Sequence, residues 1–314
     1  MTIPVGFQSQ VALSATSSFS SSSKWIQIQS ESIKRQGTLV DADGIRGTRS
    51  HDSSRVRTAP YKVGGQMTVY CDINVLDVFL AYVLGSGPTS HVYSLADALS
   101  SFYLMIDRNT AVFTYGPCYV SKAAFSASAG TGDQNMLKLV MDIEAGTETV
   151  GSSGTFPTGM TTDTNRPFLF ADAASGIELG STQIGAHKFD LTIDNHLLAD
   201  RFVNELTRSQ MPPVDRTVTW KMSTQYTATE AAFYGVGPGS AGTAAAVFTN
   251  AEETINSTVS TLTFSFPGAL QYPTISPTVQ SKQQEINLDI EGTARTTTSG
   301  TTITRELTIT NSHG

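Results

Sequence analysis

Charge is scarce in this chain. Only 15% of its 314 residues are Asp, Glu, Lys or Arg, against about 25% in ordinary soluble proteins. What charge there is leans acidic, with 20 basic and 27 acidic residues and a net charge of −7. Clustered lysine and arginine are what grip a phosphate backbone, so the balance argues against nucleic-acid binding. It leaves room for a surface that nucleic acid passes without sticking. Cysteine is nearly absent. Cys71 and Cys118 allow one disulfide, though two buried thiols in a reducing compartment are the simpler expectation. Long apolar runs are missing too: none approaches the ~18 residues of a membrane-spanning helix. Met1 to Ser23 has neither the basic start nor the apolar centre of a secretion signal. A soluble protein made in a cytoplasm, without membrane contact, is expected.

Chemistry is equally hard to find. His51, His91, His187, His196 and His313 are scattered, with no pair at metal-ligand spacing, and neither cysteine has a partner at such spacing. Asp41-Ala42-Asp43-Gly44 resembles the opening of a calcium loop, but the later ligands and the closing Glu are absent. That leaves a turn. The glycine-rich residues 235–242 neither follow a clear strand nor open a helix, as a phosphate cradle would. No nucleophile elbow, phosphate loop or dinucleotide fingerprint occurs. Acid pairs such as Asp142 with Glu144 and Asp289 with Glu291 are the residue types of a glycosidase. Without aromatics placed nearby, a solvated strand face accounts for them. No catalytic residue, cofactor or metal site is expected, and the chain reads as a non-enzyme.

What the chain has instead is hydroxyl and alternation. Ser and Thr make up about a quarter of it, above ordinary usage. Threonine is β-branched, so it suits a pleated sheet and gives a polar face without charge. Such a surface suits a protein whose outer faces meet copies of itself. Period-2 patterns predict half-buried antiparallel strands throughout. In residues 66–73, Met67, Val69, Cys71 and Ile73 fall on one face. Leu137, Leu139, Met141 and Ile143 repeat the pattern, as do Phe189, Leu191 and Ile193. Val218, Trp220 and Met222 follow, then Leu262, Phe264 and Phe266, then Ile286, Leu288 and Ile290. A return strand places Ile303, Leu307 and Ile309 together.

Helical spacing is clear only over residues 74–84, with Gly85 as its stop; a weaker helix is expected over 196–206. Each follows a strand ending in Asp (Asp72, Asp194), which hints at an internal duplication. The chain then reads as one β domain, or as related halves 1–145 and 167–314 about a flexible loop, 146–166. Residues 36–65 and 145–166 show neither period, and a structureless stretch near 30 residues is rare unless functional or disordered.

From the basic loop with Arg49, Arg55 and Arg57, the chain passes through Tyr61-Lys62-Val63-Gly64-Gly65 into the alternating strand, then the helix closing at Leu84-Gly85. This order resembles the opening of the major tail tube proteins of siphophages, the long-tailed phages. Residues 189–195, ending Ile-Asp-Asn, and the closing hairpin 285–310 resemble later segments of the same proteins. The resemblance covers most of the chain through short motifs. It implies an all-β fold: an antiparallel β-sandwich or open barrel with one or two short flanking helices, joined into a continuous β-barrel ring. Rings stack into the hollow virion tail tube that delivers DNA; they are usually six-fold, or three-fold where the domain is doubled. The partners implied are the chain itself, the tape measure protein, and the tail terminator and distal tail proteins. Assembly in the bacterial host cytoplasm is implied.

On that resemblance, Arg46, Arg49, Arg55 and Arg57 of the long loop are candidates to reach acceptors on the next ring. A carboxylate-lined lumen repels phosphate, and Asp190, Asp194, Glu285, Asp289 and Glu291 lie opposite core residues on two strands. Alternation leaves open whether that face sees the lumen or the exterior. Three rival classes share the β pattern. An outer-membrane barrel needs an outward apolar band with aromatic girdles, where this chain is rich in threonine. A host- or carbohydrate-binding protein would show exposed aromatic clusters, but aromatics here lie mostly on apolar faces. A capsid or decoration protein is nearest in kind.

Overall fold

The computed structural model describes residues 6–42, 44, 50–152, 154–161, 164–173, 176–180, 182–233, 242–255, 257–271, 277–279 and 285–312. The main strands begin with β1 (Gln10–Ser14), β2 (Lys24–Ile26), β3 (Lys62–Tyr70), β4 (Phe102–Asp107), β5 (Ala111–Ser128) and β6 (Lys138–Ser152). They continue with β7 (Ala186–Asp194), β8 (Thr217–Gln225), β9 (Gly242–Ile255), β10 (Thr258–Gln271), β11 (Asn287–Arg295) and β12 (Thr308–Ser312). The α-helix α1 (Ile73–Leu84) follows β3.

Every pairing is antiparallel. One layer runs β3–β6–β5–β7–β8–β11. β5 is long enough to carry two neighbours on one edge: β4 along its first half and β7 along its second. The β4 arm continues to β1 and β2. β9, β10 and β12 form the facing layer, and β10 turns the corner to β11 where Gln271 stands opposite Thr293. No chain of pairings among the described residues returns to its start, so the sheet stays open and the architecture is a β-sandwich.

Alternation sets which face is buried. Leu139, Met141 and Ile143 of β6, and Phe189, Leu191 and Ile193 of β7, are all removed from water. Each such side chain contributes roughly 1.5–3 kcal/mol. Aromatic rings join the layers: Phe125 of β5 and Phe189 of β7 meet Phe264 of β10 at 5.1 and 5.5 Å between centroids, and Trp220 meets Phe266 at 6.0 Å. α1 closes one side of the core with Leu76, Phe79, Leu80 and Val83, its Phe79 packed edge-on to Phe102 of β4. Asp72 caps it by accepting from the amides of Asn74 and Val75 at 2.9 Å. Gly85 ends it at φ +90°, where a Cβ would come within 2.3 Å of the Ala98 carbonyl. Only glycine fits there.

The structure departs from the sequence expectations in four places. No helix forms over residues 196–206. Asp194 does accept from the His196 amide at 3.0 Å, as Asp72 does two residues on. His196, however, adopts φ +39°, and Leu197 bridges to Pro213 instead. Second, β6 runs through Ala145 to Ser152, pairing with the first half of β5, because the β-branched Thr147, Thr149 and Val150 suit a strand. Third, residues 36–65 contain strand: Lys34–Gln36 pairs with β3, and Leu39–Asp41 pairs with Val56–Thr58 as a separate hairpin. That hairpin shows no one-faced period because its residues are almost all exposed. Fourth, Ile303 and Ile286 are exposed rather than in the core. Ile303 belongs to a detached two-stranded hairpin turned at Gly300, and Ile286 precedes the first residue of β11.

Candidate assembly surfaces

The outward face of β7, β8 and β11 gathers the five carboxylates expected on a lumen wall, but it does not make a uniform acidic field. Cross-strand register forms rows: Lys188–Ser223–Asp289 and Asp190–Lys221–Glu291. Within them Lys188 meets Asp190 at 2.6 Å, and Lys221 meets Glu291 at 2.9 Å. Asp194 is turned to His196, and Glu285 lies 3.7 Å from His187. Asp289 is exposed and makes no ion pair among the described residues. The face is therefore laced with lysine pairs at Asp190 and Glu291 and stays acidic on balance, with Asp289 and Glu285 at its more acidic end. Exposed pairs of this kind contribute at most about 1 kcal/mol each.

Residues 197–213 form a strap across the other end of the same layer. Its anchor is Arg208, whose side chain is wholly buried. Nη1 donates to Glu144 at 2.7 Å and to the Ala199 carbonyl at 2.8 Å; Nη2 donates to the Ala145 and Val63 carbonyls. The Leu206 carbonyl also accepts from the Tyr61 amide at 3.0 Å, so the strap spans from the end of β7 to β6 and β3. Its outward residues Leu198, Val203 and Leu206 are about half exposed.

Tyr61 is also where the hairpin of residues 39–58 leaves the sheet. The Ala59 amide donates to the Thr38 carbonyl, and the Arg35 guanidinium stacks on the Tyr61 ring at 3.7 Å. Leu39, Val40 and Val56 are exposed, Leu39 to 69%. Of the four loop arginines expected to reach a neighbour, Arg55 and Arg57 are exposed and unpaired among the described residues. Arg46 and Arg49 lie outside those residues, as do Asp43 and most of the glycine-rich 235–242.

Three further arginines, none of them marked by a sequence pattern, bind loops to the sheet. Besides Arg208, Arg108 grips Glu31 through two nitrogens at 2.9 and 3.0 Å and donates to the Ile33 carbonyl. Burial opposes its charge, but the Glu31 hydrogen bond and the neighbouring charges outweigh that and hold its pKa above the usual value. Arg216 joins Glu306 and the Ala96 carbonyl. All three stand in segments without periodicity, so no pattern marked them. Cys71 and Cys118 are free and buried, and burial pushes both thiols up. Among the described residues no cluster of His, Cys, Asp or Glu suits a metal, and no helix is long and apolar enough to cross a membrane.

Among the described residues the sandwich is open, and edge strands such as Lys34–Gln36 are paired on one side only. Residues 6–310 match the family model described as phage tail tube protein. The chain belongs to that family and is a structural component of a phage tail. Comparison with curated proteins found no match.

Proposed function

We propose that this chain is the tube subunit of a long-tailed phage of the siphophage kind. Copies pair through their open strand edges into rings with a continuous β-barrel. The rings stack into the hollow tube through which DNA reaches the host. The family match across nearly the whole chain carries this reading. Edge strands such as Lys34–Gln36, paired on one side only among the described residues, are templates that ring closure would occupy. We take the ring as six-fold, because the second strand–Asp–helix unit that hinted at a doubled domain is not formed. The tape measure protein fills the lumen before DNA does, and the terminator and distal tail proteins close the ends. Assembly takes place in the host cytoplasm, and the subunit carries no catalysis.

Negative-stain microscopy of concentrated protein should show rings or tubes of uniform diameter. A strictly monomeric species under several salt conditions would sink the reading, and closed shells would move it to a capsid role. The face of β7, β8 and β11 is assigned to the lumen, because a ring repeats each charge several-fold and a narrow channel focuses the field. Glu291 and Asp190 are already neutralised by lysines, so Asp289→Lys with Glu285→Lys is the sharper reversal. Tails should assemble, and DNA ejection should slow as phosphates meet a basic wall. Unchanged ejection from fully tailed particles would put this face outside.

A further inference from the structure

The hairpin strands Leu39–Asp41 and Val56–Thr58 and the strap of residues 197–213 are two exposed apolar surfaces on one edge of the molecule, and neither is covered among the described residues. A two-stranded hairpin is marginal in water by itself. This one exposes apolar side chains on both faces: Leu39 and Val56 on one, and Val40 beside Arg57 on the other. The strap is its complement. It is held rigidly from beneath by Arg208, and it turns Val203 and Leu206 outward, exposed to 54% and 51%. Between them stands Glu205, exposed and without an ion pair among the described residues. Arg55 and Arg57 are unpaired in the same sense. A basic, apolar hairpin and an apolar strap with an unpaired acid match in both chemistries. Within one chain the two charges form no ion pair with each other among the described residues.

We propose that the strap of one copy is the seat for the hairpin of the next. Val40 lies on Val203 and Leu206, and Arg57 pairs with Glu205 across the contact. The contact is heterologous, because different surfaces of the two copies meet. It therefore propagates from copy to copy instead of ending at a dimer. Apolar burial supplies the attraction, and the charge pair fixes register and excludes wrong seatings. The occupant is a second copy, since the complementary surface is carried by the same chain. This inference rests on the self-assembly reading above.

A charge swap separates the two. Arg57→Glu and Glu205→Arg, each alone, should raise the protein concentration needed for half-assembly at least about tenfold, by placing like charges together. The double variant should restore assembly to within a few-fold of the parent. Both positions are exposed, so thermal unfolding midpoints should not move, and light scattering with microscopy reads the assembly. Single variants that assemble like the parent overturn the contact. Impaired singles with an impaired double overturn this pairing while leaving self-assembly standing. A parent protein that never assembles removes the tube reading itself, whatever the variants do.

Discussion

Phe264→Ala should destabilise the subunit by about 3–5 kcal/mol, the upper range for an aromatic truncated in a core. Phe264 has no exposed surface and touches three rings: Phe125 at 5.1 Å, Phe189 at 5.5 Å and Phe248 at 6.0 Å. Two of those belong to the facing layer and one to its own. The cavity would thus open where the layers meet. Collapse is restricted, because Phe264 is held in register between Ala246 of β9 and Ile309 of β12. Moving it inward would strain two ladders. Phe264→Leu keeps most of the volume and should recover most of the loss. Guanidinium unfolding followed by the fluorescence of Trp220, which packs on Phe266 in the same interface, measures both. A loss below about 1 kcal/mol would mean the layers do not bear on one another at this ring.

That such a residue was visible in the sequence, and others were not, has a physical cause. Phe264 lies in a half-buried strand, where burial imposes a period of two on the chain itself. The same holds for Met67 to Cys71, Leu139 to Ile143 and Val218 to Met222, all of which the alternation placed on the buried side. Asp72 and Gly85 were legible for a similar reason: helix ends demand particular side chains at fixed offsets. The candidate surfaces follow no such rule. The exposed hairpin at residues 39–58 has no buried face to impose a period, so its strands read as loop. Residues 196–206, the first part of the strap, read as a weak helix, and nothing local says they will lie across a sheet. The alternation puts the five acids opposite core residues. The pairing of Glu291 with Lys221 depends on a strand neighbour that a single segment does not reveal.

Arg208 is the clearest case of information carried by tertiary contact alone, and its removal is the second large effect expected. Arg208→Met keeps the length of the side chain and deletes every donor. The Val63, Ala145 and Ala199 carbonyls then lose the partner they share, and Glu144 loses its only ion pair among the described residues. Stripping one side of a buried pair costs about 3–5 kcal/mol. Glu144 keeps a side-chain exposure of 29% and can turn part of its charge to water, so about 2–4 kcal/mol is expected here. Arg208→Lys should recover little, since one ammonium offers three donors and cannot span four acceptors in a planar fork. Glu144→Gln should cost far less than either, because its amide oxygen still accepts. The damage should also be local before it is global. With its anchor gone the strap lifts, and chymotrypsin should cut after Phe202 or Leu206 under conditions where the parent stays whole. If Arg208→Met unfolds at the parent's midpoint and resists cleavage there, the strap is held by its backbone contacts alone, through the Tyr61 amide and the Leu197–Pro213 bridge, and the buried guanidinium is incidental to it.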